Sequence, residues 1–182
     1  MGRYFGTDGI RGKVNDKLTS QLAHDLGLAV GKMLNEINGQ GSKTVVIGRD
    51  SRNSGTMLEH ALSSGLMAQG YHVLSLGQIP TPAIAYLTRY YKARLGVVIS
   101  ASHNPFKYNG IKIFNEDGFK LSDEIEYKVE NILDDENFDF GEVQEGIFSE
   151  EKEAVSIYTD YLKSRVDADF SNLKIAVDFG NG

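Results

Sequence analysis

Leu22, Leu26, Ala29, Val30, Met33, Leu34 and Ile37 recur at three- and four-residue intervals behind Thr19 and Ser20, the pattern of one helix face following a capping hydroxyl. The β-branched run "KTVVIG" at 43–48 predicts a strand, and a second helical pattern through Met57, Ala61, Leu62 and Leu66 follows it and stops at Gly70. "HVLSLG" at 72–77 predicts the next strand. Thr81 before Pro82 places a capping hydroxyl ahead of a proline in the first helical turn, so a third helix should run to about Tyr91. "LGVVIS" at 95–100 is apolar at successive positions, as a strand covered by helices on both faces requires. Strands and helices alternating in this order predict an α/β fold, a three-layer α/β/α domain around a mixed, mostly parallel sheet.

Past residue 108 the pattern changes. "GIKIF" and "GFKL" flank Asn115-Glu116-Asp117-Gly118, which predicts an antiparallel hairpin at one sheet edge. Ser122, Asp123 and Glu124 open a helix with Ile125, Val129, Ile132 and Leu133 on one face. The acidic stretch 133–146 has the composition of a linker, with Phe138 and Phe140 as possible anchors. A last helix carries Val155, Tyr158, Leu162 and Val166 on one face and leads to a strand over 173–182. The expected division is one domain over 1–140, then a linker, helix and first strand of an incomplete second domain over 141–182.

A chain of 182 residues with 41% hydrophobic content can bury one good core. The net charge of −6 argues against a general nucleic-acid or anionic-membrane surface, while leaving room for a local cationic pocket and a small anionic ligand. There is no cysteine, hence no disulfide framework and no thiolate metal site. The start, "MGRYFGTDG", lacks the apolar core of a signal peptide, and no later run approaches membrane-spanning length. A cytoplasmic protein is expected.

Three segments carry candidate chemistry. "ISASHNP" at 99–105 leaves the carboxyl end of the most apolar strand, where ligands sit in open α/β sheets. There Ser102 and His103 are exposed, and the Asn109-Gly110 turn could return Lys112 toward them. "FGTDGIRG" at 5–12 combines close-turning glycines with Arg11, and "GRDSRNSG" at 48–55 sets Arg49 and Arg52 before a helix N-terminus. Each segment alone also fits plain structural roles: Arg11 paired with Asp8, Arg49 with Asp50, Lys112 solvated on a hairpin.

Together these segments, with "PTPAIAYLTR" at 80–89 and "NGIKIFNEDGFKL" at 109–121, resemble the N-terminal domain of the α-D-phosphohexomutases over nearly all of residues 1–135. The resemblance implies that Ser102 is a phosphoserine that gives its phosphate to a hexosamine phosphate and takes back the other phosphate of the bisphosphate intermediate. It implies Lys112 as general acid/base, Arg11 near the phosphoserine and His103 as support for its loop. It further implies Thr7, Arg49 and Asn104 as phosphate- or substrate-binding residues, with structural support the open alternative for Arg49 and Arg52. Mg²⁺ is implied as cofactor, with the Ser102 phosphate as one ligand and a hexosamine 1,6-bisphosphate as activator. The family's remaining metal ligands, an Asp-x-Asp-x-Asp loop, belong to its second domain, and this sequence has no such triplet.

On this reading the chain is an N-terminal fragment, inactive by itself and open to dimerisation or other self-association. Two rival readings are a mutase for glucose or mannose phosphates, and a non-enzymatic module that binds phosphorylated anions on the same fold.

Overall fold

The computed structural model describes residues 2–37, 41–137 and 139–178. Among these the elements run β1 (Phe5–Gly6), β2 (Gly9–Lys13), α1 (Ser20–Ile37), β3 (Thr44–Arg49), α2 (Gly55–Ala68), β4 (His72–Gln78), α3 (Thr81–Tyr90), β5 (Leu95–Ile99), β6 (Tyr108–Asn115), α4 (Asp123–Asp134), β7 (Phe148–Glu150) and α5 (Ala154–Ser164). The strands form one mixed sheet in the order β1-β2-β6-β5-β3-β4-β7. Pairing is parallel from β5 through β3 and β4 to β7, and antiparallel from β5 through β6 and β2 to β1.

Helices cover both faces. Leu26, Val30 and Met33 of α1, Leu58, Leu62 and Leu66 of α2, and Val129 and Ile132 of α4 pack with Val45, Ile47, Val97 and Ile99 in the larger core. On the opposite face Ala83, Ile84 and Leu87 of α3 pack with Val46 and Val98, and Ala154 of α5 joins them. The two faces of β5 are thus both buried, which is why its sequence is apolar without alternation. The Thr19 hydroxyl accepts the Leu22 N–H at 3.0 Å, capping α1 as its sequence predicts. By contrast α3 forms without a side-chain cap. Where α1 crosses α2, a side chain at Gly27 would run into the Leu62 carbonyl and one at Gly65 into that of His24, so two glycines set the helix separation.

Four sequence expectations change. The hairpin at 109–121 is not at an edge: β6 lies inside the sheet between β2 and β5, and its second arm is short, with Phe114–Lys120 an isolated bridge. The Asn115 N–H donates to the Phe119 carbonyl and the Leu121 N–H to that of Ile113, and Asn115 Oδ1 accepts the N–H groups of Asp117 and Phe119, so backbone and side chain together hold the turn. "FGTDGIRG", which the sequence offers only as close-turning glycines with an arginine, forms β1, a turn and β2, with β2 antiparallel to β6. β7, missed in the sequence, adds a parallel strand beside β4, and Gln144 and Gly146 bond back to the end of α2. The strand expected over 173–182 is absent from 173–178; its last four positions, and Phe138, lie outside the described residues.

Candidate functional site

The parallel strands β3, β4 and β5 end at Arg49, Gln78 and Ile99, on one side of the sheet. The loops that leave them, including Asp50–Ser54, Ile79–Thr81 and Ser100–Asn104, frame a hollow of about 1050 Å³. α2 and α3 start from two of these loops, so the positive ends of two helix dipoles border the hollow. Chain topology alone therefore makes this a place for a small anion.

Ser102 stands on the rim of the hollow, exposed, with φ at 54°. A left-handed backbone costs a non-glycine residue about 1 kcal/mol or more, so the surroundings must hold it. Ser100 does part of this: it is buried, and its Oγ accepts the Ser102 N–H at 3.0 Å. Ser100 is thus tied into the fold while Ser102 Oγ is left accessible. His103 follows, its Nδ1 3.4 Å from Ser102 Oγ. Asn104 also lines the hollow, and its N–H bonds the Ala101 carbonyl.

The loop is gripped from below by Arg52. Its guanidinium donates to the carbonyls of Ser102 (2.9 Å), Asn104 (2.8 Å), Pro105 (3.0 Å) and Tyr108 (3.0 Å). Its Nε donates to Asp50 Oδ2, whose other oxygen accepts the Arg52 N–H. The buried Asn109 closes the loop, donating from Nδ2 to Ser54 Oγ and accepting the Gly110 N–H. The sequence offers Asp50 as a partner for Arg49 and Asn109 as part of a turn; the structure instead ties Asp50 to Arg52 and Asn109 to Ser54.

Lys112 lies one strand over. It sits directly opposite Val98 in the β5–β6 register, so both side chains share the sheet face on which Val98 lines the hollow. Its side chain is only 12% exposed, and its ammonium is 2.5 Å from Asp8 Oδ2. The same oxygen accepts from Arg11 at 2.8 Å. Burial by itself would raise the Asp8 pKa, but the hydrogen bond and charge of Lys112, with the charge of Arg11, hold it below the ordinary carboxylate value. Arg11 is opposite Gly110, whose missing side chain leaves room for the Arg11 stem beside the Ser100 carbonyl. Lys112, Arg11 and Asp8 therefore form one charged cluster, which reaches the start of the serine loop at the Ser100 carbonyl but does not itself line the hollow.

Two expected ligand residues lie elsewhere. Arg49 does not line the hollow: its Nε pairs with the buried Glu59 at 3.0 Å, and Glu59 also accepts from Ser75. Thr7 borders a separate cavity of about 290 Å³ between the N-terminal segment and α4, with Glu126 and Glu130. Its direction follows from the β1–β2 turn, which carries Asp8 toward Lys112 and leaves Thr7 on the other side.

A serine held in a left-handed turn at the ends of parallel strands marks the ligand-bearing edge of an open α/β domain. The chain belongs to the phosphoglucomutase/phosphomannomutase family: residues 2–140 match the alpha/beta/alpha domain I of that family. It is 50% identical to the phosphoglucosamine mutase of Alkaliphilus oremlandii and 51% identical to those of Clostridioides difficile and Staphylococcus aureus, each over 100% of this chain. The chain spans about 41% of the length of these relatives. A crystal structure of a phosphoglucomutase/phosphomannomutase family protein from Burkholderia thailandensis superposes with a TM-score of 0.70 at 28% identity, covering 90% of this chain and 36% of that one.

Proposed function

We propose that this chain is the N-terminal part of a phosphoglucosamine mutase, which interconverts glucosamine 6-phosphate and glucosamine 1-phosphate on the route to cell-wall amino sugars. The observation that carries the reading is the 50–51% identity, over the full chain, to relatives of that name. Ser102 is the phosphoryl carrier. In the forward half-reaction the sugar hydroxyl attacks the phosphorus on Ser102, the P–O bond to Ser102 Oγ breaks, and Lys112 relays the hydroxyl proton to the departing Ser102 Oγ. The bisphosphate then turns over, and the second half-reaction returns the other phosphate to Ser102. Lys112 and Arg11 supply the positive charge that phosphoryl oxygens need, and the two helix N-termini add to it.

Mg²⁺, as the resemblance implies, would neutralise the phosphoryl oxygens. The described residues contain no group of three or more carboxylate or imidazole side chains that could hold it. The phosphate of Ser102 is the ligand that this chain offers, and the others come from the remainder of the protein. No described helix is long and apolar enough to cross a membrane. We place the reaction in the cytoplasm, in keeping with the cysteine-free sequence.

The test is a substrate comparison with the complete protein, Mg²⁺ and a hexosamine 1,6-bisphosphate. kcat/KM for glucosamine 6-phosphate should exceed that for glucose 1-phosphate and mannose 1-phosphate at least about tenfold. A preference for either hexose phosphate would move the enzyme to the other branches of the family, and no turnover of any would favour a binding module.

A further inference from the structure

We propose that Arg52 is the positioning residue of phosphoryl transfer, holding Ser102 in its left-handed turn without touching the phosphate; the proposal rests on the mutase reading above. A guanidinium has five N–H donors in a rigid plane. In this structure all five are engaged: one on Asp50 and four on the carbonyls of Ser102, Asn104, Pro105 and Tyr108. None is left for a phosphate oxygen. The side chain borders the hollow but is only 12% exposed, its donors all turned onto Asp50 and the loop.

The loop needs such a clamp. Within residues 101–108 its own backbone bonds are Asn104 to Ala101 and Tyr108 to Pro105, too few to dictate the path of eight residues. Four carbonyls turned onto one planar cation fix that path, and with it the direction in which Ser102 Oγ leaves the backbone. Asp50 sets the plane of the guanidinium, and Asn109 bonds the loop's far end to Ser54. The loop between β3 and α2 is therefore bolted to both ends of the serine loop. Lysine cannot replace this arginine, because three donors on one nitrogen do not reach four separated carbonyls.

The experiment compares wild-type, Arg52→Lys and Asp50→Asn in the complete protein by steady-state kinetics and by hydrogen–deuterium exchange of the 99–110 segment. A misplaced serine loses kcat while binding survives, so Arg52→Lys should lose about a hundredfold or more in kcat with KM within about threefold. Exchange of the loop amides should rise about tenfold or more, with the rest of the sheet unchanged. Asp50→Asn, which keeps the arginine and loosens only its plane, should lose kcat by about tenfold, and this arm stands if Arg52→Lys fails to fold. Wild-type loop exchange in Arg52→Lys, a kcat within about threefold of wild-type, or a loss confined to KM overturns the proposal. The exchange readout needs no turnover. A wild-type protein inactive on every hexose phosphate would therefore count against the mutase reading and leave the loop result to be judged separately.

Discussion

The ammonium of Lys112 and the carboxylate of Asp8, 2.5 Å apart, bring the first turn of the chain against the strand that follows the serine loop. Arg11 shares that carboxylate, so one anion holds two cations that would otherwise repel each other. If Lys112 carries protons in the reaction, Lys112→Met in the complete protein should lower kcat by about a hundredfold or more while the protein stays folded. The fold should survive because Asp8 is half exposed, and such pairs add little stability. Unchanged kcat in a folded, phosphorylated Lys112→Met protein would reduce the pair to a structural one.

Arg49 should behave in the opposite way. Glu59 is almost fully buried and loses its ion-pair partner in Arg49→Leu, which should cost about 3 kcal/mol in urea unfolding. kcat should remain within about threefold, since Arg49 does not line the hollow. A stable Arg49→Leu protein with impaired turnover would return Arg49 to the phosphate site.

Ser102 invites a comparison of two truncations that both remove the phosphate acceptor. Glycine usually weakens a fold relative to alanine, but at φ 54° alanine keeps the strain and glycine releases it. Ser102→Gly should be more stable than Ser102→Ala by about 0.5–1 kcal/mol, read as a higher Tm. The reverse order would mean that the turn is unstrained. Phosphopeptide analysis of the wild-type protein should find phosphate on Ser102 and not on Ser100.

Glu130 predicts a pH dependence. Its carboxylate accepts the N–H groups of Arg3, Tyr4 and Phe5 at 3.0, 2.7 and 2.7 Å. Burial alone would raise its pKa, but these three backbone bonds win and hold it below the ordinary glutamate value. A carboxylate with a depressed folded pKa stabilises the protein fully above its unfolded value, about 4.3, and the stabilisation is lost as pH falls through the folded pKa. Wild-type should therefore exceed Glu130→Gln in stability at neutral pH, and the gap should narrow with acidification from about pH 5 downward. A gap independent of pH would mean that charge on Glu130 is irrelevant to the N-terminal anchor.

The parts of the fold legible in the sequence are those with strong periodicity. α1, β3, α2, β4, α3 and β5 follow directly from apolar spacing, because each is long and buries a definite face. β6 was visible as a strand but not as an interior one, since its neighbour β2 comes from a glycine-rich segment with no strand-like alternation. β7 is three residues with one partly buried side chain, too short for a period to show. In the site, Ser102, His103 and Lys112 stood out by position after a strand. Asp8 is legible as the partner of nearby Arg11 but not as that of Lys112, about a hundred positions away, which only the β2–β6 pairing brings to it. Arg49 and Arg52 look equivalent in sequence; the direction of each side chain, one to Glu59 and one under the loop, decides between them.

The antiparallel insertion of β6 also has a consequence in time. β2 meets β1 locally, but its inner neighbour is residues 108–111, and Glu130 must exist before it can receive the amides of residues 3–5. A ribosome adds about 5–20 residues per second, so the first residues made wait several seconds for their partners. Through that interval β3, β4 and β5 can already assemble as neighbours, while the β1–β2 hairpin that carries Asp8 and Arg11 has no place in the sheet. The charged corner is thus begun by the first residues made and completed only when β6 brings Lys112 to it.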